Sequence, residues 1–571
     1  MRPFLRTLPL LLAAVLAAQS PAPTPAGEPA QSAPATVPQQ PPVAQPTVPA
    51  PPATGQPAQP ANSNQPPTAT IRTSSRLVIL DTVVLDKKGN IVTGLTKDDF
   101  HVVEEDSPQT ILNFTTAGTF TPSPDLTINS TADLDRLAPR APVNIILLDE
   151  FNTRFEDMAF ARYSLKKYLQ KQPGKLDQPT MLIAVSLQKF EVLHDYTQDK
   201  DAILNALDHH LVAFPWQLHS FTWVSERYGQ AFTTLLRIAQ ATQGHPGHKN
   251  MIWVGRGFPT IDFTRVALDQ QQRVESIVQE VVNQLRDARI TLYTIDPAGV
   301  QANPYAYGQT AADYEPFGGN YQFNRLAQAT GGRTFYGRND VDAEIGTSLR
   351  DGSSFYTLTY RPTGAANNPN RFRRIQVTFD NPNYHAVTRE GYYPQRGPAR
   401  YNPQGTNYRL FNELAAANTG NMVYDGVPIT LQADPNDPDR FTVHVDARGL
   451  NWTIATETDP RRAEVILLAT SFDKKGKVLG DAIARNIKIA APPTVPPNGR
   501  LERAIDFNVT LKHNPQAVRA RFVIRVASTG RIGTVDTQLH PNQQATAKPA
   551  PAPPTAAGTP NATTPSPTTQ P

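Results

Sequence analysis

The residues with the clearest chemical potential directly follow an apolar strand. The segment VNIILLDEFNT (143–153) passes from aliphatic side chains into Asp149 and Glu150, and the hydroxyl residue Thr153 follows. Neighbouring carboxylates could exchange protons with a substrate. Oxygen ligands of this kind also suit a hard cation such as magnesium. The segment therefore indicates either a pair of acid–base residues or part of a metal site at the end of a strand.

Other kinds of site lack the residues they require. The chain has no cysteine, no G-x-S-x-G elbow and no phosphate-binding glycine loop followed by Lys-Ser or Lys-Thr. Its 54 basic residues are balanced by 50 acidic ones and are scattered, so nucleic acid is not an expected partner. His245 and His248 could reach one metal ion, but no third ligand lies nearby in sequence. We expect both histidines to be exposed to solvent.

Both ends of the chain predict segments without a packed core. Arg2 and Arg6 precede a short apolar run, which predicts a secretory signal peptide over residues 1–20 and hence export to the periplasm, the cell envelope or the exterior. No other stretch approaches the ~20 apolar residues that a membrane span needs, so the mature protein is not expected to cross a membrane. Residues 21–70 and 541–571 are rich in Pro, Ala and Thr and predict a disordered tether and tail.

Three folded units are predicted between these tethers. Short β-rich runs with turn residues predict a small β-unit over 71–120. Apolar strands alternating with amphipathic helices over 140–395 predict a doubly wound, mostly parallel α/β sheet. A Gly/Pro/Asn-rich linker over 395–408 precedes regularly spaced strands over 409–540, which predict an antiparallel β-sandwich of the immunoglobulin or fibronectin type.

Individual elements of the α/β domain can also be predicted. Two strands with period-two alternation, SFYTLTY (354–360) and RRIQVTF (373–379), are expected to close the domain. A helix is expected to end at Thr330, before two glycines, and another to span 340–350. The remaining predicted strands are 143–148, 180–187, 190–194, 250–254 and 290–295.

The order of several segments resembles a known family. The α/β domain resembles the von Willebrand factor type A (VWA) domain, and residues of about 70–395 resemble, more narrowly, the secreted VWFA-related proteins of Acidobacteria. The segments that carry it are VVLDKKGNIVTGLTKDDFHVVEE, VNIILLDEFNT, KNMIWVGRGFP, ITLYTIDPAGV, LAQATGGRTFY, SSFYTLTYRP and TREGYYP. The resemblance implies a ligand site at the carboxyl ends of the sheet strands.

The resemblance also implies a metal-dependent adhesion site, which this chain matches only in part. In that site a D-x-S-x-S loop, a distant Thr and a later Asp surround a divalent cation. Asp149 matches the first Asp and Thr153 the second hydroxyl, whereas Phe151 replaces the first. Either Thr222 or Ser225 could match the distant Thr. The site is therefore expected to be degenerate.

Arg256 stands where the family has its later Asp. Because a guanidinium stays charged, no cofactor is expected, although a cation such as magnesium remains an alternative. The guanidinium could instead pair directly with Asp149 in a pseudo-site. Alternatively, Arg256 points to solvent and Asp149 caps the next turn. A third alternative is an ion held in another geometry by Glu150, Asn152 and Asp157.

Two aromatic loops are predicted on the same rim of the sheet. They span 212–223 and 303–323, and each lies next to the carboxyl end of a strand. Tyr residues among Gly, Asn and Ala are typical of recognition loops. The alternative is that the rings pack beneath the loops as a satellite core. The aromatic residues are Phe214, Trp216, Phe221 and Trp223 in the first loop and Tyr305, Tyr307, Tyr314, Phe317, Tyr321 and Phe323 in the second.

Together these features predict an exported, non-catalytic interaction or adhesion protein. It would bind a protein or peptide partner through the aromatic rim. One alternative is a hydrolase of envelope or extracellular polymers that uses Asp149 and Glu150. Another is a structural scaffold without a discrete ligand.

Overall fold

The computed structural model of the chain describes residues 77–212, 221–258, 268–299, 321–363, 371–394, 403–453, 459–492, 504–512 and 514–539. The predicted signal peptide and the tail lie outside these ranges, as does the Pro-rich tether. Within them, no helix is long and apolar enough to cross a membrane.

The described chain begins with a small antiparallel β-unit. Its first four strands are β1 (Val78–Leu85), β2 (Phe100–Glu104), β3 (Ser107–Gln109) and β4 (Ile111–Thr115). In β1 every second residue from Val78 to Val84 is buried with the other apolar residues of the unit, including Phe100 and Ile111. These strands alone do not complete the β-unit, because its remaining strands come from much later in the chain.

The α/β domain follows and is built around a six-stranded sheet. The strands are β5 (Val143–Asp149), β6 (Lys175–Val185), β7 (Phe190–Asp199), β8 (Lys249–Val254), β9 (Ile290–Ile295) and β10 (Thr334–Phe335). Their order is β7-β6-β5-β8-β9-β10, and all neighbouring pairs are parallel except β6 with the edge strand β7. The order reverses beside β5, which is the position where doubly wound sheets hold their ligands.

Helices cover both faces of this sheet. They are α1 (Thr131–Leu137), α2 (Phe155–Gln170), α3 (Lys200–His209), α4 (Phe221–Ala241), α5 (Leu268–Asp287), α6 (Tyr321–Thr330) and α7 (Val341–Asp351). Ile145 and Leu147 pack on the side of α4 and α5, whereas Ile146 and Leu148 pack on the side of α2 and α7. Strand β5 is therefore buried on both faces, as its continuous apolar sequence predicts. The predicted fold class is confirmed.

Strands β11 (Tyr356–Tyr360), β12 (Arg373–Phe379), β13 (His385–Val387) and β14 (Gly391–Tyr392) return to the β-unit. β11 pairs with β1 and β4, and β12 pairs with β2. The prediction that 354–360 and 373–379 close the α/β domain is therefore wrong. Their alternating pattern fits strands with one buried face, whereas the strands of a covered parallel sheet are apolar on both faces. The α/β domain is inserted into the β-unit.

The C-terminal part begins with a helix and continues as a sandwich. Helix α8 (Pro403–Thr419) starts inside the predicted linker, whose residues 395–402 lie outside the described ranges. The sandwich strands are β15 (Ile429–Asp434), β16 (Asp437–Asp446), β17 (Arg461–Phe472), β18 (Val478–Ala491), β19 (Ala504–Thr510), β20 (Arg519–Val526) and β21 (Ile532–Gln538). They form antiparallel sheets ordered β15-β16-β19 and β18-β17-β20-β21, which confirms the predicted sandwich.

Helix α8 connects the sandwich to the α/β domain. The buried guanidinium of Arg521 donates to the carbonyl oxygen of Ala417 at 2.9 Å, at the end of α8. From the other side, Arg237 on α4 donates to the carbonyl of Ala416 at 2.6 Å. Cations beside the last carbonyls of a helix satisfy acceptors that have no partner within the helix. The two arginines therefore hold α8 between the domains.

The β-unit meets the α/β domain through one buried carboxylate. Asp81 on β1 accepts hydrogen bonds from Arg289 at 2.5 Å and from Thr357 at 2.8 Å, and its Oδ2 lies 3.0 Å from His248 Nδ1. Burial alone would raise the pKa of Asp81, but the charges and hydrogen bonds of Arg289 and His248 outweigh it and hold this pKa far below its usual range. Asp81 is therefore ionised at neutral pH.

We predict that Asp81→Asn lowers the free energy of unfolding by about 2 kcal/mol, because it leaves the buried His248 and the partly buried guanidinium of Arg289 without their anion. Denaturant unfolding at neutral pH measures the loss. Asp98→Asn, at an exposed aspartate of the same β-unit, is the matched control and should stay within about 0.5 kcal/mol of wild type. Equal stabilities for the two variants would contradict the role given to Asp81.

Candidate functional site

Asp149 is the fully buried last residue of β5. Its Oδ1 accepts the backbone N–H of Asn152 at 2.9 Å, and its Oδ2 accepts Trp253 Nε1–H at 3.0 Å. Burial raises the pKa of Asp149 to about 7, and the hydrogen bonds from Trp253 and Asn152 partly oppose the rise. The carboxylate thus joins the loop after β5 to strand β8.

Phe151 occupies the position of the missing hydroxyl and belongs to the core. Its side chain is 2% exposed, and its ring meets that of Trp253 edge-on with the centroids 6.2 Å apart. This edge-to-face arrangement is favourable for aromatic pairs. The same indole that donates to Asp149 therefore also packs against Phe151, which gives this side chain a packing role.

The chain passes very close to Asp149 at Gly255, just after β8. A Cβ atom at this glycine would lie 2.4 Å from Asp149 Cβ and 2.7 Å from Thr153 Oγ1. The next backbone N–H, that of Arg256, donates to Thr153 Oγ1 at 3.1 Å. Only glycine allows this approach. Thr153 therefore uses its hydroxyl to hold the loop after β8.

Arg227, which the sequence analysis did not identify, completes the inner part of the site. It lies on α4, is 1% exposed, and its Nη1 donates to Asn152 Oδ1 at 2.8 Å. The amide of Asn152 also donates to the carbonyl of Gly257. A sequence signal existed, because Arg227 precedes Ala231 by four residues on the buried face of α4.

The guanidinium of Arg256 is buried among carboxylates other than Asp149. Its Nε lies 3.4 Å from Asp296 Oδ1, and its Nη1 lies 4.0 Å from Asp157 Oδ2. The predicted direct pair between Asp149 and Arg256 is not formed, since the side-chain hydrogen bonds of Asp149 come from Trp253 and Asn152. The alternative that Arg256 points to solvent is also wrong, because the residue is only 4% exposed.

The residues present do not fit the metal site that the resemblance implies. Both oxygens of Asp149 already accept hydrogen bonds, and Phe151 replaces a ligand. Arg256 brings a permanent positive charge. Across the described residues, no group of three or more His, Asp or Glu side chains is placed to hold a metal ion. A divalent cation would therefore have to displace hydrogen bonds within the protein.

The second acidic residue, Glu150, pairs with a histidine. Its Oε1 lies 2.6 Å from His210 Nε2, and both side chains are largely buried. Arg162 donates to the carbonyl of His210 at 2.8 Å and so holds the end of α3 in place. Glu150 thus connects β5 to α3 and does not form a pair with Asp149.

The prediction that His245 and His248 are exposed is wrong. His245 Nε2 lies 2.8 Å from the carbonyl oxygen of Ala141, and burial lowers the pKa of His245 to about 3. His248 contacts Asp81, as described above. The Pro/Gly-rich sequence around the pair suggested a loop on the surface, but the β-unit packs over it.

Most of the predicted aromatic rim lies outside the described residues. This applies to Phe214, Trp216, Tyr305, Tyr307 and Tyr314. Phe221, Trp223, Thr222 and Ser225 fall in the first turns of α4, and Tyr321 is the first residue of α6. The binding role of the rim residues stays a prediction.

Chain connectivity relates the two aromatic segments to the site. The first runs into α4, whose Arg227 reaches Asn152 in the loop after β5. The second lies between Asp296, which pairs with Arg256, and the start of α6. In sequence, each segment therefore adjoins an element that contributes to a buried charged cluster, which is formed by Asp149, Asn152, Arg227, Arg256, Asp157 and Asp296.

The β-unit and the C-terminal part contact the opposite ends of the strands. Asp81 meets Arg289, which precedes β9, and His248, which precedes β8. Asp425, between α8 and the sandwich, accepts the backbone N–H of Gly244 at 2.6 Å. Nearby, burial lowers the pKa of Lys249 and raises that of Asp425. These contacts assemble the domains at the amino ends of the sheet strands.

Comparison with known proteins gives distant structural similarities. No protein-family model matches the chain, and no curated protein matches it. Two structures of proximal thread matrix protein 1 from the mussel byssus match 40% of this chain at TM-scores of 0.23 and 0.22, with 9% and 10% identity. These matches span 50% and 48% of the mussel protein, about half its length. The SpRpn10 VWA domain matches at a TM-score of 0.15 and 15% identity, over 31% of this chain and 96% of that domain.

We predict that Asp149→Asn changes the pH dependence of stability. Between the ordinary carboxyl pKa of 3.8 and the raised value of about 7, the unfolded chain loses the proton that the folded protein keeps. Wild-type stability should therefore fall as pH rises through this window. The stability difference, variant minus wild type, should increase by up to roughly 4 kcal/mol, which denaturant unfolding measures. Asp125→Asn, at an exposed aspartate, should show no such trend; a flat difference for Asp149→Asn would refute the raised pKa.

We also predict that magnesium, calcium and manganese produce no saturable heat when titrated into the full chain, because hydrogen bonds within the protein occupy the oxygens of Asp149. Isothermal calorimetry is the measurement. Removal of divalent ions with a chelator should leave the melting temperature unchanged. A stoichiometric binding isotherm that Asp149→Asn abolishes would contradict the interpretation of the site.

Proposed function

We propose that the protein is exported and non-catalytic, and that it binds a protein or peptide partner at the carboxyl-end rim of the α/β sheet. The buried charged cluster is the observation that carries the proposal. It connects the loop after β5 to α4 through Asn152 and Arg227, and the loop after β8 to Asp296. Preorganised loops bind partners at a lower entropic cost. The cluster thus fixes the described elements that adjoin the two aromatic segments in sequence.

The arrangement of the domains also favours a partner site at the carboxyl ends of the sheet strands. The β-unit and the C-terminal part contact the amino ends of the strands through Asp81 and Asp425. A partner at the carboxyl-end rim would therefore not compete with these contacts. The distant similarity to a VWA domain is compatible with this position.

The carboxylates favour binding over the hydrolase alternative. Asp149 is fully buried and accepts two hydrogen bonds from the protein, and Glu150 is paired with His210. A general acid or base must come within hydrogen-bond reach of its substrate. Both carboxylates are instead engaged in holding loops and helices together.

We predict that Trp216→Ala combined with Tyr307→Ala weakens partner binding at least tenfold, because a few aromatic residues usually dominate an interface. The partner would first be captured from envelope extracts with the full chain and identified by mass spectrometry, and its affinity would then be measured with purified components. Tyr163→Ala, at a tyrosine of α2 that is 62% exposed, is the matched control. Unchanged affinity in the double variant would refute the rim proposal, whereas self-association without any captured partner would favour a scaffold.

A further inference from the structure

Strand β18 is the longest strand of the described chain, and one of its two edges is open. It has 14 residues and lies at the end of the sheet β18-β17-β20-β21. Its pairing with β17 is regular from Ile483 to Ala491, and a register shift separates this part from the beginning of the strand. Within the described residues, no second strand pairs with β18. The regular part therefore presents a free edge.

The ladder with β17 shows which backbone groups of β18 point away from the sheet. The carbonyl oxygen of Glu464 accepts the N–H of Ala527 at 2.8 Å, so the backbone of Glu464 faces β20. Because the backbone groups of successive residues in a strand point to opposite sides, Val465 faces β18, where Ile487 lies opposite. The residues that alternate with Ile487 direct their N–H and C=O groups outward, and they are Ala484, Asn486, Lys488 and Ala490. In the described part of the chain, these groups make no backbone hydrogen bond.

Proteins usually block such an edge, and β18 is irregular only near its beginning. Gly480 has a φ of +72°, and the register shift lies beside it. Bulges, prolines and charges are the common ways to block an edge. Between Ile483 and Ala491 there is no proline or glycine, and the two charged residues are both positive. Like charges oppose pairing of β18 with a second copy of itself, but they do not oppose an acidic strand.

The side chains along the open edge include an incompletely covered apolar row. Ile483, Ile487 and Ile489 are half-buried and pack against the core of the sandwich. They lie on one face of β18, because side chains two or four residues apart in a strand share a face. A further strand with apolar residues at alternate positions would cover this row.

The charges around the open edge are mainly positive. Glu464 lies opposite Lys488, and its Oε1 accepts a hydrogen bond from Asn486 at 2.6 Å. This carboxylate faces a larger number of cations. The cations within the paired segments 461–469 and 483–491 are Arg461, Arg462, Arg485 and Lys488. Acidic side chains on an added strand would therefore complement the charge of this edge.

We infer that the open edge of β18 binds an extended segment of a partner protein as an additional strand, and that this segment alternates apolar with acidic residues. In binding of this kind, main-chain hydrogen bonds supply affinity and the alternating side chains supply specificity. The edge belongs to the sandwich, whereas the rim belongs to the α/β domain. Either site could fail without affecting the other.

Amide hydrogen exchange of the full chain, measured by mass spectrometry, tests the inference. The probes are two eight-residue synthetic peptides, one alternating valine with glutamate and the other alternating valine with lysine. We expect the glutamate peptide to slow exchange in β18, because it would accept hydrogen bonds from the outward N–H groups. The lysine peptide should leave this exchange unchanged. Isothermal calorimetry then gives the affinity for the glutamate peptide.

Three variants separate the contributions of backbone and charge. Lys488→Pro removes an outward N–H but no hydrogen bond of the ladder with β17, so it should weaken binding of the glutamate peptide about tenfold. Lys488→Ala is the matched control, because it removes the same charge and keeps the N–H, and it should weaken binding only about twofold. Arg485→Glu, at an exposed side chain, should make the protein prefer the lysine peptide. Melting temperatures show which variants are folded.

Several results would overturn the inference. One is that the glutamate peptide leaves exchange in β18 unchanged. Others are that folded Lys488→Pro binds as tightly as Lys488→Ala, or that Arg485→Glu keeps the peptide preference of wild type, which decides the matter if the proline variant does not fold. Protection of β18 without peptide that disappears on dilution would also overturn it, because the occupant would then be a second copy of the chain.

Discussion

The burial of the Asp149 carboxylate is the constraint on which the site depends. A carboxyl group removed from water at the end of a fully buried strand is costly unless its oxygens are hydrogen-bonded. Trp253 and the backbone of Asn152 supply these bonds. This hydrogen bonding also constrains β8, which carries Trp253. The chain after β8 passes so close to Asp149 that no side chain fits at Gly255. One buried acid thus fixes the relation between two loops.

The two ends of the sheet use buried charge for different purposes. At the amino ends, Asp81 and Asp425 come from outside the α/β domain and meet groups within it, so the charges fix the positions of domains. At the carboxyl ends, Arg227 and Arg256 meet side chains of the same domain and fix the positions of loops. A buried charge without its partner is strongly destabilising. The groups at the amino ends therefore favour the observed arrangement of the domains, and those at the carboxyl ends favour the observed arrangement of the loops, because separating the partners would leave buried charges unpaired.

The sequence predicted the α/β sheet well because burial on both faces leaves a strong local signal. Strand β5 is an unbroken apolar run and was placed to within one residue. The pairing of β11 and β12 with the β-unit could not be predicted from their sequences. Alternating apolar residues show that one face of a strand is buried, but they do not show which element packs on that face. Helix α8 was missed because Pro, Gly and Asn near its start indicate a loop, while its stabilising contacts come from Arg237 and Arg521 in other elements.

Within the site, Asp149, Thr153 and Arg256 were placed together by the resemblance, but their partners Trp253 and Arg227 depend on tertiary packing.

Arg256 joins segments at the carboxyl ends of the strands in a different way from a bound metal ion. A bound cation would join loops only while it is present, and its occupancy would follow the concentration of the ion in the surrounding solution. The guanidinium of Arg256 is covalently part of the chain and stays charged at every physiological pH. Its contacts with Asp296 and Asp157 connect the loop after β8 to the end of β9 and the start of α2. These three segments are therefore held together by groups that belong to the chain itself, without a dissociable component.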